Sequence, residues 1–482
     1  MSTANIILFV AGLYLVVLLG IGFWAKNKAN KADDFLVAGG QVGLIMSICT
    51  IAAVQIGSGV VVGGATTGMQ LGVWPGMYYS MSCGVGCIIA GVFFAGKMRT
   101  AGCVVPLDFF ELRFGPNRLA RALATITNVP NLVGIYVAQL LACGSILSAF
   151  GLPFSTGAII CAVVIIIYSS MGGMLSVVVG DLIQLCILGI GVPLAAIFSI
   201  KAVKAAGLGS AATVFGTPFI PDVGKFVYYI IPFLLSMAVC YDCFMRYQSA
   251  KDANTAKWGC IGGGIVTMFI GTMASAVGVA GHILFPEVTD GIFAYTVSQT
   301  CPTFIAAIVV TAVLAAAMSS GNCLLIGTAG CVTKDFYRSV LHPDKELSEL
   351  PFANKLNRLT VIVAGVLGIL ITFYMTNILD AIISSTYPYT GAMTVALICS
   401  VYYKGATMKG VTAQMILGLI GGIGLYVITM TPGLADKLGM NMDWALFGLY
   451  IFDFAVIILV SSLDKNGEKF PMVELKEIVA SR

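Results

Sequence analysis

Long apolar runs recur from one end of this chain to the other, and short segments between them hold nearly all of its charges. Thirteen runs can be read, at 5–25, 42–70, 74–96, 122–149, 154–170, 173–200, 225–247, 257–284, 303–332, 359–377, 380–402, 411–430 and 444–463. A run of about 20 apolar residues crosses a bilayer core as a helix. Backbone polar groups in lipid must be satisfied within the protein, which leaves helices or a closed barrel. These runs are too long and too little alternating for barrel strands. The pattern therefore predicts an all-α polytopic membrane protein.

Composition agrees. Of 482 residues, 59% are hydrophobic and 10% charged, and the mean hydropathy is +0.97. A soluble core could not hold that much apolar surface. The first run is followed by Lys26, Lys28 and Lys31 and lacks a small-residue cleavage pattern, so it reads as a span and not a cleaved signal. With those lysines cytoplasmic, all but Lys201, Lys204, Lys225 and Lys437 of the 26 basic residues fall inside. The N-terminus is then outside and the C-terminus, including Lys465, Lys469, Lys476 and Arg482, is cytoplasmic. The location expected is the cell membrane. Two separated histidines, His282 and His342, give no multi-histidine metal site. The 14 cysteines sit mostly within apolar runs and read as small buried hydrophobes. Cys240 and Cys243 have CxxC spacing without a second pair. No clustered His, Cys or carboxylate site points to an enzyme, and no nucleic-acid partner is expected. Oligomeric state is left open.

Several polar positions lie within the apolar runs. Gln55-Ile56-Gly57-Ser58-Gly59, in the second run, weakens a helix at mid-membrane. An unwound turn there frees carbonyl oxygens for a hard monovalent cation; close packing through small residues is the other reading. Ala317-Met318-Ser319-Ser320-Gly321-Asn322-Cys323, in the ninth run, buries two adjacent hydroxyls that need partners. They bind an ion or bond back to the carbonyl four residues earlier. Asp181 lies near the cytoplasmic start of the sixth run, where an ionisable group is costly. It is a coupling residue or a carboxylate facing a helix dipole. Arg246 is placed to pair with Asp242 four residues before it, to pair with another carboxylate at an inner gate, or to anchor the span. Asp453 lies mid-span in the last run and requires a partner, protonation or a protein interface.

Four stretches carry a resemblance. Pro106-Leu107-Asp108-Phe109-Phe110-Glu111-Leu112-Arg113-Phe114-Gly115 lies between the third and fourth runs. Gly172-Gly173 leads to Asp181-Leu182-Ile183-Gln184, with Gly180 where Thr is usual. Met245-Arg246 precedes Ala250-Lys251, with Met245 where Gln is usual. The Ser319-Ser320 helix exits as Thr333-Lys334-Asp335-Phe336-Tyr337. At these spacings the chain resembles the sodium:solute symporters over about residues 1 to 465. The resemblance implies a LeuT-like 5+5 inverted-repeat core with about 13 transmembrane helices. The layout expected is a peripheral first helix and loop (1–40), a ten-helix transport core (41–403, with repeats at about 41–200 and 225–403), and two peripheral helices with a tail (404–482). Five spans per repeat give the halves opposite orientation.

Carried over by residue, the resemblance implies a sodium ion, the co-transported cofactor, held by backbone oxygens of Ala53, Ile56 and Ala316 and by the hydroxyls of Ser319 and Ser320. Some members bind a second sodium through the aspartate of the sixth span and two further hydroxyls. Here Asn322 and Cys323 take the hydroxyl positions, and a thiol is a poor hard-cation ligand. Asp181 and Asn322 stay candidates for a second cation or for coupling, and one sodium per cycle is expected. Arg246 is the gate candidate. The substrate residues expected near the midplane are Gln55, Tyr78, Tyr79, Asn131, Met237, Tyr387 and Thr390, with Asn128 and Gln139 as further polar groups. Sugar-binding residues of the family are missing: no Glu follows Tyr79, and Phe233 to Val239 lacks the family's Asn and Tyr-Trp pair. The expected function is sodium-coupled import of a small organic solute, a monocarboxylate or an amino acid, by alternating access. A proton-coupled transporter of the same fold, with Asp181 as carrier, is one alternative; a membrane solute sensor is another.

Overall fold

The computed structural model describes residues 3–26, 41–103, 105–375 and 378–464; for 21–22, 24–26 and 171–180 it describes the backbone only. The loop at 27–40, with Lys28 and Lys31, and the tail lysines and arginine from Lys465 onward lie outside the described residues. Helices are α1 (Thr3–Lys26), α2 (Leu44–Gln55), α3 (Gly59–Leu71), α4 (Val73–Thr100), α5 (Pro106–Phe114), α6 (Arg118–Ser148) and α7 (Phe154–Ala205). They continue as α8 (Val223–Leu234), α9 (Tyr241–Gln248), α10 (Ala253–Leu284), α11 (Ile292–Thr300), α12 (Thr303–Leu341), α13 (Ala353–Thr372), α14 (Ile378–Tyr389), α15 (Val395–Tyr402), α16 (Met408–Met430) and α17 (Ala445–Leu463).

Ten helices among the described residues are long and apolar enough to cross a membrane, or eleven if the bent pair α2–α3 counts as one span. The count of thirteen is not reached for two reasons. The run at 154–170 is a shorter apolar helix, continuous in backbone with the next run within the 52 residues of α7. The run at 380–402 is divided by Pro388 and a wide helical turn at Thr390–Thr394.

Two helices are broken, at corresponding places in the two expected repeats. α2 and α3 meet at 57° across Ile56–Ser58. Ile56 leaves helical geometry (φ −80°, ψ 41°), where Gly57 and Gly59 offer the least resistance to unwinding. α8 ends after Pro232, and a short turn at Ser236–Ala238 leads through extended Cys240 into α9. Polar side chains start several helices: Asn117, Asp222, Asp252 and Thr407 each accept a backbone N–H of the first turn.

α10 packs against α2, α3 and α4, while α12 packs against α6, α7 and α13. α1 lies on α7 and α12, and α16 packs on both α14 and α17. Small residues set these approaches. A Cβ on Gly278 of α10 would lie 2.0 Å from the carbonyl oxygen of Ala65 on α3. Gly278→Ala is therefore expected to lower the melting temperature in detergent, since overpacking costs ~1–3 kcal/mol. Gly424→Ala, where nothing lies within 4 Å, serves as the control. Equal melting temperatures for the two variants would show that α3 and α10 part at little cost.

Candidate functional site

The break between α2 and α3 meets α12 at the serine pair. Ser320 Oγ lies 3.4 Å from the carbonyl oxygen of Ala53 and 3.2 Å from that of Val54, and donates between them. A Cβ on Gly57 would stand 2.8 Å from the same hydroxyl. Ser58 N–H, inside the break, donates to Gln139 Oε1 of α6 at 2.9 Å. Ile56 forms the turn itself, and Ala316 lies one helical turn before Ser320 on α12. Ser320 and Ala53 thus meet where α2 ends against α12, with Ile56 in the turn beside them and Ala316 and Ser319 on the same helix as Ser320. Hydroxyl and carbonyl oxygens are hard donors, suited to an alkali cation. Among the described residues, no three His, Cys, Asp or Glu side chains group to hold a metal. Cys240 and Cys243 are free thiols.

Ser319, the neighbouring hydroxyl, donates to Asp181 Oδ1 at 2.5 Å. Asp181 Oδ2 accepts from Thr50 Oγ1 of α2 at 2.7 Å and forms an ion pair with Arg246 of α9. Arg246 also donates to the Thr50 carbonyl at 2.8 Å. Asp181 and Arg246 are both fully buried. Charges at such depth persist only when paired and hydrogen-bonded. Of the partners expected for Arg246, the structure selects Asp181 and not Asp242. The backbone of Val42, just before α2, exchanges two bonds of 2.9 Å with Ser249 and Lys251, just after α9. α2 and α9 are therefore tied together and latched to α7 and α12 through one carboxylate. Asn322 takes no part: its Oδ1 and Nδ2 are buried without a partner, and the Asp181 oxygens are engaged elsewhere.

A second charged cluster lies on the same side. Arg121 of α6 joins Asp108 (2.9 Å) and Glu111 (2.6 Å) of α5 and Asp335 of α12. Tyr241 of α9 donates to Asp335 at 2.7 Å. Arg113 of α5 donates to the carbonyls of Ser400 and Tyr403 at 2.7 and 2.8 Å, capping the end of α15.

On the opposite side of the break a cavity of 460 Å³ opens between Thr66, Thr67 and Gln70 of α3, Ser145 of α6, Tyr229 of α8 and Asp290. One side of the path is open and the other is closed by the Asp181 latch.

Between them lies a small enclosed cavity of 20 Å³. Of the expected substrate residues, Gln55, Tyr79 and Met237 line it, together with Gln139. Tyr78, Asn131, Tyr387 and Thr390 do not, and neither does Asn128. Adjacent helical residues point about 100° apart, so Tyr78 and Tyr79 cannot both face it. Tyr78 instead donates to the Phe219 carbonyl at 2.5 Å and packs edge-on against Phe226. The Tyr387 backbone abuts Gly422 of α16, where a Cβ would lie 2.3 Å from the Tyr387 carbonyl. Asn131 Oδ1 and Thr390 Oγ1 are buried between helices without partners, next to the helix-bending Pro130 and Pro388. Asn128 bonds back to the Ala124 carbonyl at 2.9 Å. Phe233, Ile135 and Asp242 also line the cavity and were not foreseen as such. Asp242 carried a signal, an acid at the foot of the second broken span, which the competing assignment to Arg246 obscured.

Comparison with known proteins agrees with this architecture. The model of the sodium:solute symporter family matches residues 35–418. The osmoregulated proline transporter OpuE of Bacillus subtilis (strain 168) is 25% identical, over 95% of this chain and 95% of its own. The sodium/pantothenate symporter of Escherichia coli (strain K12) is 25% identical, over 87% and 89%. The high affinity choline transporter 1 of Homo sapiens is 25% identical, over 84% and 74%. Among solved structures, a Na+-coupled sialic acid symporter in a substrate-bound outward-open state superposes with a TM-score of 0.75 at 18% identity, covering 96% of this chain and 99% of that one. The fold is LeuT-like, the protein is a multi-pass membrane protein, and the chain belongs to the sodium:solute symporter family.

Proposed function

We propose that this protein imports a small organic solute across the cell membrane by sodium symport, with the N-terminus outside and the C-terminus cytoplasmic. The ten-helix core at 41–403 moves the solute, and the helices on either side of it are peripheral. Sodium binds at Ala53, Ile56, Ala316, Ser319 and Ser320. The observation that carries this reading is the shared position of Ser319. It is a ligand of the proposed ion site and a hydrogen-bond donor to the carboxylate that latches the cytoplasmic side. A hydroxyl that donates its proton to a carboxylate keeps its lone pairs free for a cation. Occupancy of the ion site is thereby linked to the latch. The Arg246 ion pair on Asp181 argues against a free proton carrier at that position.

Three outcomes are expected. Replacing Ser319 and Ser320 with Ala removes two hard ligands, and sodium activation of uptake should shift at least about tenfold, about 1.4 kcal/mol. Unchanged sodium dependence would sink the assignment. With Asp181 engaged by Arg246 and Asn322 unpartnered, flux against clamped voltage and sodium gradients should reverse at a 1:1 ratio for a neutral solute. A 2:1 ratio would require a second ion at Asp181. Asp181→Asn leaves Arg246 buried and unpaired, costing ~3–5 kcal/mol of stability, and uptake should slow at least tenfold. Adding Arg246→Gln should recover melting temperature without recovering transport; recovery of both would reduce the pair to a structural brace.

A further inference from the structure

The central cavity has a lopsided polar inventory. Its lining holds one carboxylate, Asp242, and no lysine, arginine or histidine among the described residues. Asp242 is 9% exposed. Arg246, one turn further along α9, gives its guanidinium to Asp181 and leaves Asp242 outside that ion pair. A buried carboxylate is costly unless a counter-charge meets it. Two aromatic rings line the same cavity: Tyr79 and Phe233 meet edge to face at 5.2 Å and 80°. Aromatic faces attract cations, most strongly when water is excluded. At the cavity's α2 wall, Gln55 is 6% exposed and its Nε2 has no acceptor. Val54, Ile135 and Leu324 supply apolar walls. The lining therefore offers one anion, aromatic faces and one unused amide donor.

Resting on the symport reading above, we infer that Asp242 determines specificity: the solute carries a positively charged nitrogen that pairs with Asp242 beside Tyr79 and Phe233, and an acceptor group that takes the Gln55 amide. The class is compact amino acids, betaines and amino alcohols. Monocarboxylates without such a nitrogen meet only repulsion at Asp242. At 20 Å³ the cavity has room for about one water and not for an organic solute. Admission therefore requires its side-chain walls to part.

The test uses purified full-length protein in proteoliposomes with an inward sodium gradient. The external mixture contains the common amino acids, glycine betaine, choline, pantothenate, lactate, uridine and glucose, and accumulated solutes are identified by mass spectrometry. Sodium-driven accumulation is expected only for solutes with a cationic nitrogen. Asp242→Asn should raise the half-saturating concentration of the accumulated solute at least tenfold. Asp242→Glu should keep the cation preference and guards against a folding defect. Both variants should keep the rise in melting temperature that sodium alone produces. Sodium-driven accumulation of pantothenate, lactate, uridine or glucose overturns the inference and leaves the symport reading standing. So does an unchanged half-saturating concentration in Asp242→Asn. Loss of the stabilisation by sodium alone would move Asp242 into the ion site and overturn it too. If sodium drives no accumulation at all, the symport reading falls and this inference falls with it.

Discussion

Backbone that unwinds at membrane depth has no water to bond with, and most of this structure's polar chemistry answers that constraint. The two broken helices answer it differently. Around the second break the replacements are firm: Tyr389 donates to the Val239 carbonyl at 2.8 Å, Tyr247 to Ala238 at 3.0 Å, and Ser236 to Pro232 at 2.6 Å. At the first break Ser320 is shared between Ala53 and Val54 at 3.4 and 3.2 Å. Those distances are at the weak end for O–H···O bonds. A cation that took over the same carbonyls and the same hydroxyl would displace little. The break whose bonds are most easily exchanged is thus the one that lies beside two hydroxyls.

The fully buried ion pairs lie on one side of that break, and the Lys225–Asp443 pair on the other is partly exposed. Asp181–Arg246 and Arg121–Asp335 join helices that sequence places far apart, Arg121 also binds Asp108 and Glu111 on the preceding helix, and each cluster uses a buried arginine. Removing one partner from such a pair costs far more than the pair contributes. The clusters therefore work as stops: intact they hold α9 against α7 and α12, and a partial rearrangement is expensive. On the other side Asp290 meets only Ser145 (2.7 Å) and its neighbouring backbone N–H at the edge of an open cavity. This asymmetry leaves one end open while the other is shut.

Much of this was legible in the sequence because bilayer physics writes in long runs. Apolar length predicted the spans, and the two glycines flanking Ser58 marked the first break. The residues of the proposed ion site lie within one short motif on each of two segments. The substrate lining was less legible. Helical phase, which separates Tyr78 from Tyr79, is blurred in helices apolar on nearly every face. The buried polar groups Asn131 and Thr390 looked like pocket residues because burial between helices and burial around a cavity require the same side chains. The partner of Arg246 could not be read either, since an acid one turn away and an acid 65 positions away are equivalent until the helices are packed. Asp453 shows the remaining gap. Its carboxyl oxygens are buried without hydrogen bonds, against Gly418 of α16, with no counter-charge in the ion pairs of the described residues.

The proposed ion site also explains why sodium should act on the latch and not merely occupy the protein. Two of its five ligands, Ala53 in α2 and Ile56 in the turn that ends it, lie on one side, and the other three belong to α12. α2 is bound to α9 by the Val42 backbone bonds and by Arg246 on Thr50. Any movement that opened the latched side by swinging α2 and α9 away from α12 would take two oxygens from an ion at the proposed site at once. Sodium bound at the proposed site would therefore favour the latched state, the differential affinity that a ligand must have to shift a conformational equilibrium. A solute held between Gln55 at the end of α2 and Asp242 on α9 would favour the same pairing of half-helices. Ion and solute then cooperate because each is bound by the same two moving elements, with no need for direct contact between them.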